Sequence, residues 1–364
     1  METAPKRLLL LTVAYGQGHN AAAAAIAEEF EARGWQTRTL DPCAQSSPTV
    51  FRATQMFYNF CVRRMPWLWR VTYAQTDTAD WAEGVRLPIL RGCTRRLAEE
   101  VRAYAPHAII CTYPLYAYML DDAGITIPCT MVVTDAIEIS RPWIKSRARL
   151  VCLTDAESHR MMEERFGFFE SACTTGFPVR RAFTPPQQRS MPSPQNLGIV
   201  YGAYDSTRRV TDDLRRLLSA YPGCRITLIA GGRAERFRRL LSAEVQSGRL
   251  TILPATREMH VLFRNNHLYI GKAGAATVFE AYACHLPVII NYALPGQEQG
   301  NLQKLLQDGG GAYACGARDL LHTIDTLLAD GAARWQSMSA AMAANNTRGA
   351  AAAIYRAVIR HFFS

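Results

Sequence analysis

The chain has 364 residues, more than one ordinary globular domain holds and enough for two of roughly 150–200 residues each. Hydrophobic residues make up 49% and charged residues 20%, with 24 Gly and 18 Pro, which excludes a collagen-like, disordered or coiled-coil protein. The formal charge is +10, and of the 41 basic residues only Lys6, Lys145, Lys272 and Lys304 are lysines; so large an arginine excess asks for an anionic partner, whether nucleic acid, a membrane surface or a phosphorylated substrate.

Met1 to Lys6 runs straight into an apolar stretch, Leu8 to Val13, which reads as a strand buried on both faces. It is too short for a signal core. Gly16-Gln17-Gly18-His19 is the turn that follows, Asn20 the expected N-cap, and Ala21 to Ala32 a strong helix former. Trp35 to Leu40, Ala108 to Thr112, Cys129 to Thr134 and Arg149 to Thr154 read as further strands, and strands alternating with helices imply a parallel, doubly wound sheet. Pro178, Pro185, Pro186, Pro192 and Pro194 then mark a linker.

After the prolines the pattern restarts. Leu197 to Tyr201, Arg225 to Ala230, Leu250 to Leu253, His267 to Gly271 and Pro287 to Asn291 read as strands, with Arg208 to Ala220 and Ala275 to Cys284 among the helices between them. The Ala-rich tail from Ala340 reads as a terminal helix. The expected organisation is an N-terminal domain over 1–180, a linker over 181–195, a C-terminal domain over 196–345 and a terminal helix over 346–364, for which packing back on the first domain is one arrangement. Two doubly wound domains place a ligand cleft at the carboxyl ends of their strands. A nucleotide-sugar glycosyltransferase and a sugar epimerase suit this architecture equally.

Five segments could carry chemistry. The Gly16-to-His19 turn offers small residues, helix-start amides and an imidazole able to accept a proton near neutral pH, although a capped tight turn accounts for it as well. Gly271-Lys272-Ala273-Gly274-Ala275-Ala276-Thr277, with Glu280 a turn further on, can hold a diphosphate on its amides and a ribose on the carboxylate; simple helix capping is the competing explanation, weakened by a lysine in so arginine-rich a chain. Leu294 to Asn301 carries Gln297, Glu298, Gln299 and Asn301, donors and acceptors suited to sugar hydroxyls or to any polar loop. Asp135, at the end of Val132-Val133-Thr134, could orient His19, act as a base itself or cap a turn. Phe51 to Gln75 has Arg52, Arg63, Arg64 and Arg70, seven aromatics including Trp67 and Trp69, and no acid. That composition suits a segment lying in the headgroup layer of an anionic membrane, against a core helix pair with snorkelling arginines.

Some chemistry has no motif here. There is no Asp-x-Asp pair to call for a metal on a diphosphate, no P-loop, no G-x-S-x-G elbow and no nucleic-acid module. The ten cysteines, spread from Cys43 to Cys315 without a C-x-x-C pair, read as reduced thiols of a cytoplasmic protein. No run of 18 apolar residues occurs, so membrane association would be peripheral.

Taken in order, Gly-Gln-Gly-His, Val-Val-Thr-Asp, Gly176-Phe177-Pro178-Val179, Lys-Ala-Gly-x-x-Thr-x-x-Glu and Pro-Gly-Gln-Glu-x-Gly-Asn resemble the monogalactosyldiacylglycerol synthase and processive diacylglycerol glucosyltransferase group of glycosyltransferase family 28. The resemblance covers nearly the whole chain and is strongest from Thr256 to Asn301. It implies a GT-B fold, two Rossmann-like α/β domains facing across a cleft, and inverting transfer of a hexose from a UDP-sugar to a membrane lipid such as diacylglycerol. It implies no cofactor. His19 matches the histidine near the reaction centre and Asp135 the aspartate that assists it. Lys272, Ala273, Gly274, Thr277 and Glu280 match the turn for diphosphate and ribose, Thr256 and Met259 the uracil contacts, and Gln297, Glu298 and Asn301 the sugar contacts. Gly18 and Gly202 fall in loops near the diphosphate and sugar, and Arg63, Arg64, Trp67 and Trp69 in the membrane and acceptor region. Two departures stand out: Gln17 replaces a glycine of the first turn, and Tyr201-Gly202-Ala203-Tyr204-Asp205-Ser206 replaces a Gly-rich loop. A UDP-sugar 2-epimerase and a non-catalytic UDP-sugar-binding protein remain the alternatives.

Overall fold

The computed structural model describes residues 5–14, 18–46, 81–137, 139–144, 148–167, 171–204, 206–294 and 298–364, with the separate positions Met56, Phe60, Met65, Leu68, Val71 and Gln75. The chain divides into two compact units. The first is Met1–Arg181 with Pro295–Gly300 and Thr347–Ser364; the second is Ala182–Leu294 with Asn301–Asn346.

In the first unit Arg7–Leu11 (β1), Gln36–Leu40 (β2), Ala108–Cys111 (β3), Cys129–Val132 (β4), Leu150–Leu153 (β5) and Ala172–Thr174 (β6) form a parallel sheet in the order β2-β1-β3-β4-β5-β6. The continuous leucines of β1 have a simple cause. Leu8 and Leu10 pack with Ile26, Phe30, Ile354 and Val358 on one face, and Leu9 and Leu11 with Leu97, Val101 and Tyr116 on the other. All four are fully buried, each contributing roughly 1.5–3 kcal/mol relative to an exposed side chain. Helices Gly18–Glu31 and Ala350–Phe362 cover the first face, and Pro88–Tyr104 and Pro114–Asp122 the second.

In the second unit Gly198–Gly202 (β7), Arg225–Ile229 (β8), Leu250–Leu253 (β9), Leu268–Lys272 (β10), Val288–Tyr292 (β11) and Gly311–Tyr313 (β12) form another parallel sheet, β12-β11-β10-β7-β8-β9. Early in this unit, within the Pro-rich stretch, Arg189 donates to the carbonyls of His285 at 2.8 Å, Phe263 at 2.8 Å and Cys284 at 3.1 Å. Those bonds fix that part of the stretch to the second unit.

Strand order reverses between β1 and β3 in one sheet and between β7 and β10 in the other. Parallel α/β sheets bind ligands beyond the carboxyl ends of the strands at such a reversal. Two local expectations are corrected. Asn20 is not an N-cap: the helix begins at Gly18, and Asn20 Oδ1 accepts from Thr12 Oγ1 at 2.9 Å. The tail is not one helix from Ala340: Ala317–Ala344 ends at Asn345, and Ala350–Phe362 follows, with Gly349 at its N-cap.

Candidate active site

The reversal in the first sheet carries His19. β1 ends at Leu11 and β3 at Cys111, and Thr112 follows, its N–H donating to the Leu11 carbonyl at 3.0 Å. That brings the Thr112 carbonyl 2.6 Å from His19 Nδ1, with Thr134 Oγ1 at 3.0 Å from the same nitrogen. A carbonyl can only accept, so Nδ1 carries the proton and Nε2 keeps its lone pair. Among the described residues Nε2 has no hydrogen-bond partner. The imidazole is buried, with the Tyr113 ring 5.3 Å and the Trp143 ring 6.1 Å away. Desolvation lowers its pKa to about 4 against the opposing bond to Thr112, so the ring is neutral at physiological pH.

Asp135 follows β4. Its Oδ2 accepts from Trp143 Nε1 at 2.9 Å, and its backbone carbonyl accepts from Thr154 Oγ1 at 2.8 Å. Asp135 is half-buried, and desolvation raises its pKa to about 7; Trp143 opposes this and the Glu298 charge adds to it. The orienting bond from Asp135 to His19 is absent among the described residues. The physical reason is the short 3₁₀ turn Arg141–Trp143, which brings an indole N–H to that carboxylate, while two threonines hold the imidazole. Glu298 is itself buried, and its segment groups with the first unit.

The second reversal carries the other candidates. Lys272 ends β10, and helix Ala275–Ala283 starts three residues later with Gly274 at its N-cap. Thr277 lies in its first turn and Glu280 one turn further on, both partly exposed. Ala273 is locked from both sides: its N–H donates to the Tyr292 carbonyl at 3.0 Å and its carbonyl accepts from Asn301 Nδ2 at 3.1 Å. Asn301 is thereby a brace for the Lys-Ala-Gly turn. Thr256 Oγ1 accepts from the Glu258 N–H at 3.0 Å, turning the chain into the helix that Met259 begins.

The glycines need two explanations. A Cβ on Gly202 would lie 2.6 Å from the Tyr269 hydroxyl, and one on Gly271 2.2 Å from it. Their smallness makes room for a buried tyrosine. A Cβ on Gly18 would meet nothing within 4 Å, so that helix start is open. Gln297, Arg63, Arg64, Trp67 and Trp69 lie outside the described residues. Among the described residues no group of three His, Cys, Asp or Glu side chains could hold a metal ion.

Residues 19–179 match the monogalactosyldiacylglycerol (MGDG) synthase model, and residues 204–356 match that of the glycosyltransferase family 28 C-terminal domain. The chain therefore carries the two domains of an MGDG synthase-like family 28 protein. The processive diacylglycerol beta-glucosyltransferase of Bacillus subtilis is 28% identical over 346 residues, covering 89% of this chain and 87% of that one. Monogalactosyldiacylglycerol synthase 1 of Arabidopsis thaliana is 25% identical over 341 residues, 87% of this chain and 63% of the plant protein. Among solved structures, MurG of Acinetobacter baumannii shares 15% identity with a TM-score of 0.63, covering 98% of this chain and all of that one. A UDP-N-acetylglucosamine 2-epimerase shares 11% identity with a TM-score of 0.64, covering 100% and 97%. At such identities the structural likeness speaks for the fold, and the fold is GT-B: two parallel-sheet α/β units.

Within this family 28 frame, the sequence pattern alone assigns no role to Thr112, Thr134, Trp143, Tyr204 or Tyr292. Thr112 and Thr134 close two strand patterns and could have been found from that position alone. Tyr204 stands in the loop that departs from the Gly-rich pattern, Trp143 reaches Asp135 through the short turn Arg141–Trp143, and the sheet order brings Tyr292 to Tyr204.

Proposed function

We propose that this protein is an inverting glycosyltransferase that moves a hexose from a UDP-sugar to the hydroxyl of a membrane lipid such as diacylglycerol. The observation that carries the reading is the ordered match of both family 28 domain models, with His19 at one strand-order reversal and Lys272 at the other. The names of the relatives, both diacylglycerol glycosyltransferases, support the lipid acceptor.

In the reaction the acceptor oxygen attacks the anomeric carbon, the bond from that carbon to the diphosphate breaks, and UDP leaves. We assign the acceptor proton to His19 Nε2, because the opposite nitrogen is committed to Thr112. The negative charge growing on the diphosphate falls to Lys272 and to the free amides of Gly274, Ala275 and Ala276 at the helix start. Glu280 takes the ribose hydroxyls, Thr256 and Met259 the uracil, and Gln297 and Glu298 the sugar. Asp135 adjusts the charge beside His19 through its own ionisation.

The acceptor side draws on the 51–75 segment, whose described positions Met56, Phe60 and Val71 are exposed apolar side chains. No helix among the described residues is long and apolar enough to cross a membrane. A peripheral position on the cytosolic membrane face fits both facts.

The test is a panel of UDP-hexoses incubated with a total lipid extract and read by mass spectrometry. A hexosyl lipid with inverted anomeric configuration is the expected product. Inversion at C2 of the UDP-sugar with no lipid product would replace this reading by epimerisation, and tight UDP binding with neither product would replace it by a sensor.

A further inference from the structure

The loop after β7 departs from a glycine-rich pattern by carrying Tyr204, and the structure gives that tyrosine a place. Four neighbouring strands, β8, β7, β10 and β11, end at one edge of the second sheet. They deliver Arg233, the Gly202–Tyr204 loop, Lys272 and Tyr292 respectively. The loop backbone is pinned: the Ala203 N–H donates to the Ile229 carbonyl at 3.0 Å, the Tyr204 N–H to the Gly202 carbonyl at 2.9 Å, and the Arg233 guanidinium to the Ala203 carbonyl. Arg233 is steadied in turn against Phe237, 5.3 Å from the ring centroid.

On this frame the Lys272 ammonium stands 4.7 Å from the centroid of the Tyr204 ring. The Tyr292 ring lies 5.1 Å from that of Tyr204 at an interplanar angle of 37°. A register shift between Gly271 and Lys272 makes Tyr292 the pairing partner of Lys272, and such irregularities re-aim side chains near functional sites. Lysine has a flexible four-carbon stem and a compact charge. A tyrosine face attracts that charge and narrows where it can be. The amides that open helix Ala275–Ala283 follow two residues further on.

We propose that Tyr204, backed by Tyr292, is a positioning residue that holds Lys272 in place for the donor's diphosphate. The proposal rests on the reading of Lys272 as a diphosphate group and adds the residue through which this chain, lacking the glycine-rich loop, orients it. A pre-placed ammonium loses less freedom when the anion arrives, so the effect is on UDP affinity and on kcat/KM for the UDP-sugar.

The experiment measures UDP affinity by calorimetry on the full chain, for the wild type, Lys272→Ala, Tyr204→Phe, Tyr204→Leu and the Tyr204→Leu/Lys272→Ala double variant, with thermal melts to confirm folding. Lys272→Ala weakens UDP about tenfold or more, and Tyr204→Leu about fivefold. Tyr204→Phe keeps the ring and stays within about twofold of wild type. In the Lys272→Ala background Tyr204→Leu causes no further loss, because its route to the ligand has gone. Equal losses from Tyr204→Leu in both backgrounds, or a Tyr204→Phe as weak as Tyr204→Leu, would overturn the positioning role and leave the Lys272 assignment standing. A Lys272→Ala variant with wild-type affinity would overturn that assignment itself, and this proposal with it.

Discussion

His19 and Asp135 follow strands of the same sheet and their pKa values shift in opposite directions. Burial lowers the His19 pKa to about 4 and raises that of Asp135 to about 7. Each shift disfavours the charged form, and the two act on stability with opposite sign. The unfolded histidine binds protons near 6.5, so its contribution is present above that value and is lost as pH falls to about 4. The aspartate has a raised folded pKa, so its contribution is present below 3.8 and is lost as pH rises to about 7. Across the shared window the slopes oppose, and Asp135→Asn removes the falling one. The variant therefore gains in melting temperature over wild type more at pH 8 than at pH 5, and equal gains at the two pH values would contradict a raised Asp135. Activity separates the residues again. The wild-type kcat/KM rises with pH through an inflection near 7, which disappears in Asp135→Asn. His19→Ala lowers kcat by roughly 10²–10⁴-fold while calorimetry finds UDP affinity little changed.

At the scale of elements, a stretch of the second half of the sequence belongs to the first fold. Helix Ala350–Phe362 packs on helix Gly18–Glu31, with Ile354 and Val358 buried among Leu8, Leu10, Ile26 and Phe30. Gly176 presses close against this junction: a Cβ there would lie 3.0 Å from Ala350 Cβ. Ile354→Ala is expected to destabilise the first unit by about 2–5 kcal/mol. Denaturant melts following Trp35, which shares that cluster, report it, and a shift below about 1 kcal/mol would show the helix to be dispensable. The same packing shows what could be read beforehand. Ten of the strands were legible, most because each sheet is covered on both faces and its strands are largely apolar runs, and the polar Gln36–Leu40 because it follows the Gly34 that ends a helix. Ala172–Thr174 and Gly311–Tyr313 were not, being three-residue edge strands with too little pattern to register. In the site, His19 and Lys272 were legible from turns that follow strands. The pairing was not, since Thr112 lies 93 residues from His19 and only the strand order joins them.

The whole chain carries +10 with 37 arginines left once its four lysines are set aside from 41 basic residues. A diphosphate needs few of them. The acid-free 51–75 segment and the acid-free stretch after Asp330 hold Arg52, Arg63, Arg64 and Arg70, and Arg334, Arg348, Arg356 and Arg360. The first of these also exposes Met56 at 72% and Phe60 at 53% of their surface. Charge and apolar surface together suit a bilayer with anionic headgroups, and they separate by salt. Attraction between exposed charges fades as the Debye length falls from about 10 Å at 0.1 M to about 3 Å at 1 M, whereas insertion of apolar side chains does not. Flotation with phosphatidylglycerol-containing vesicles should therefore exceed flotation with neutral phosphatidylcholine at 0.1 M salt. The excess should vanish at 1 M while a residual binding common to both vesicle types persists. Removing Arg63 and Arg64 should abolish the excess, and removing Trp67 and Trp69 the residue. Equal flotation of the quadruple variant and the wild type under all four conditions would separate the arginine excess from the membrane and return it to composition alone.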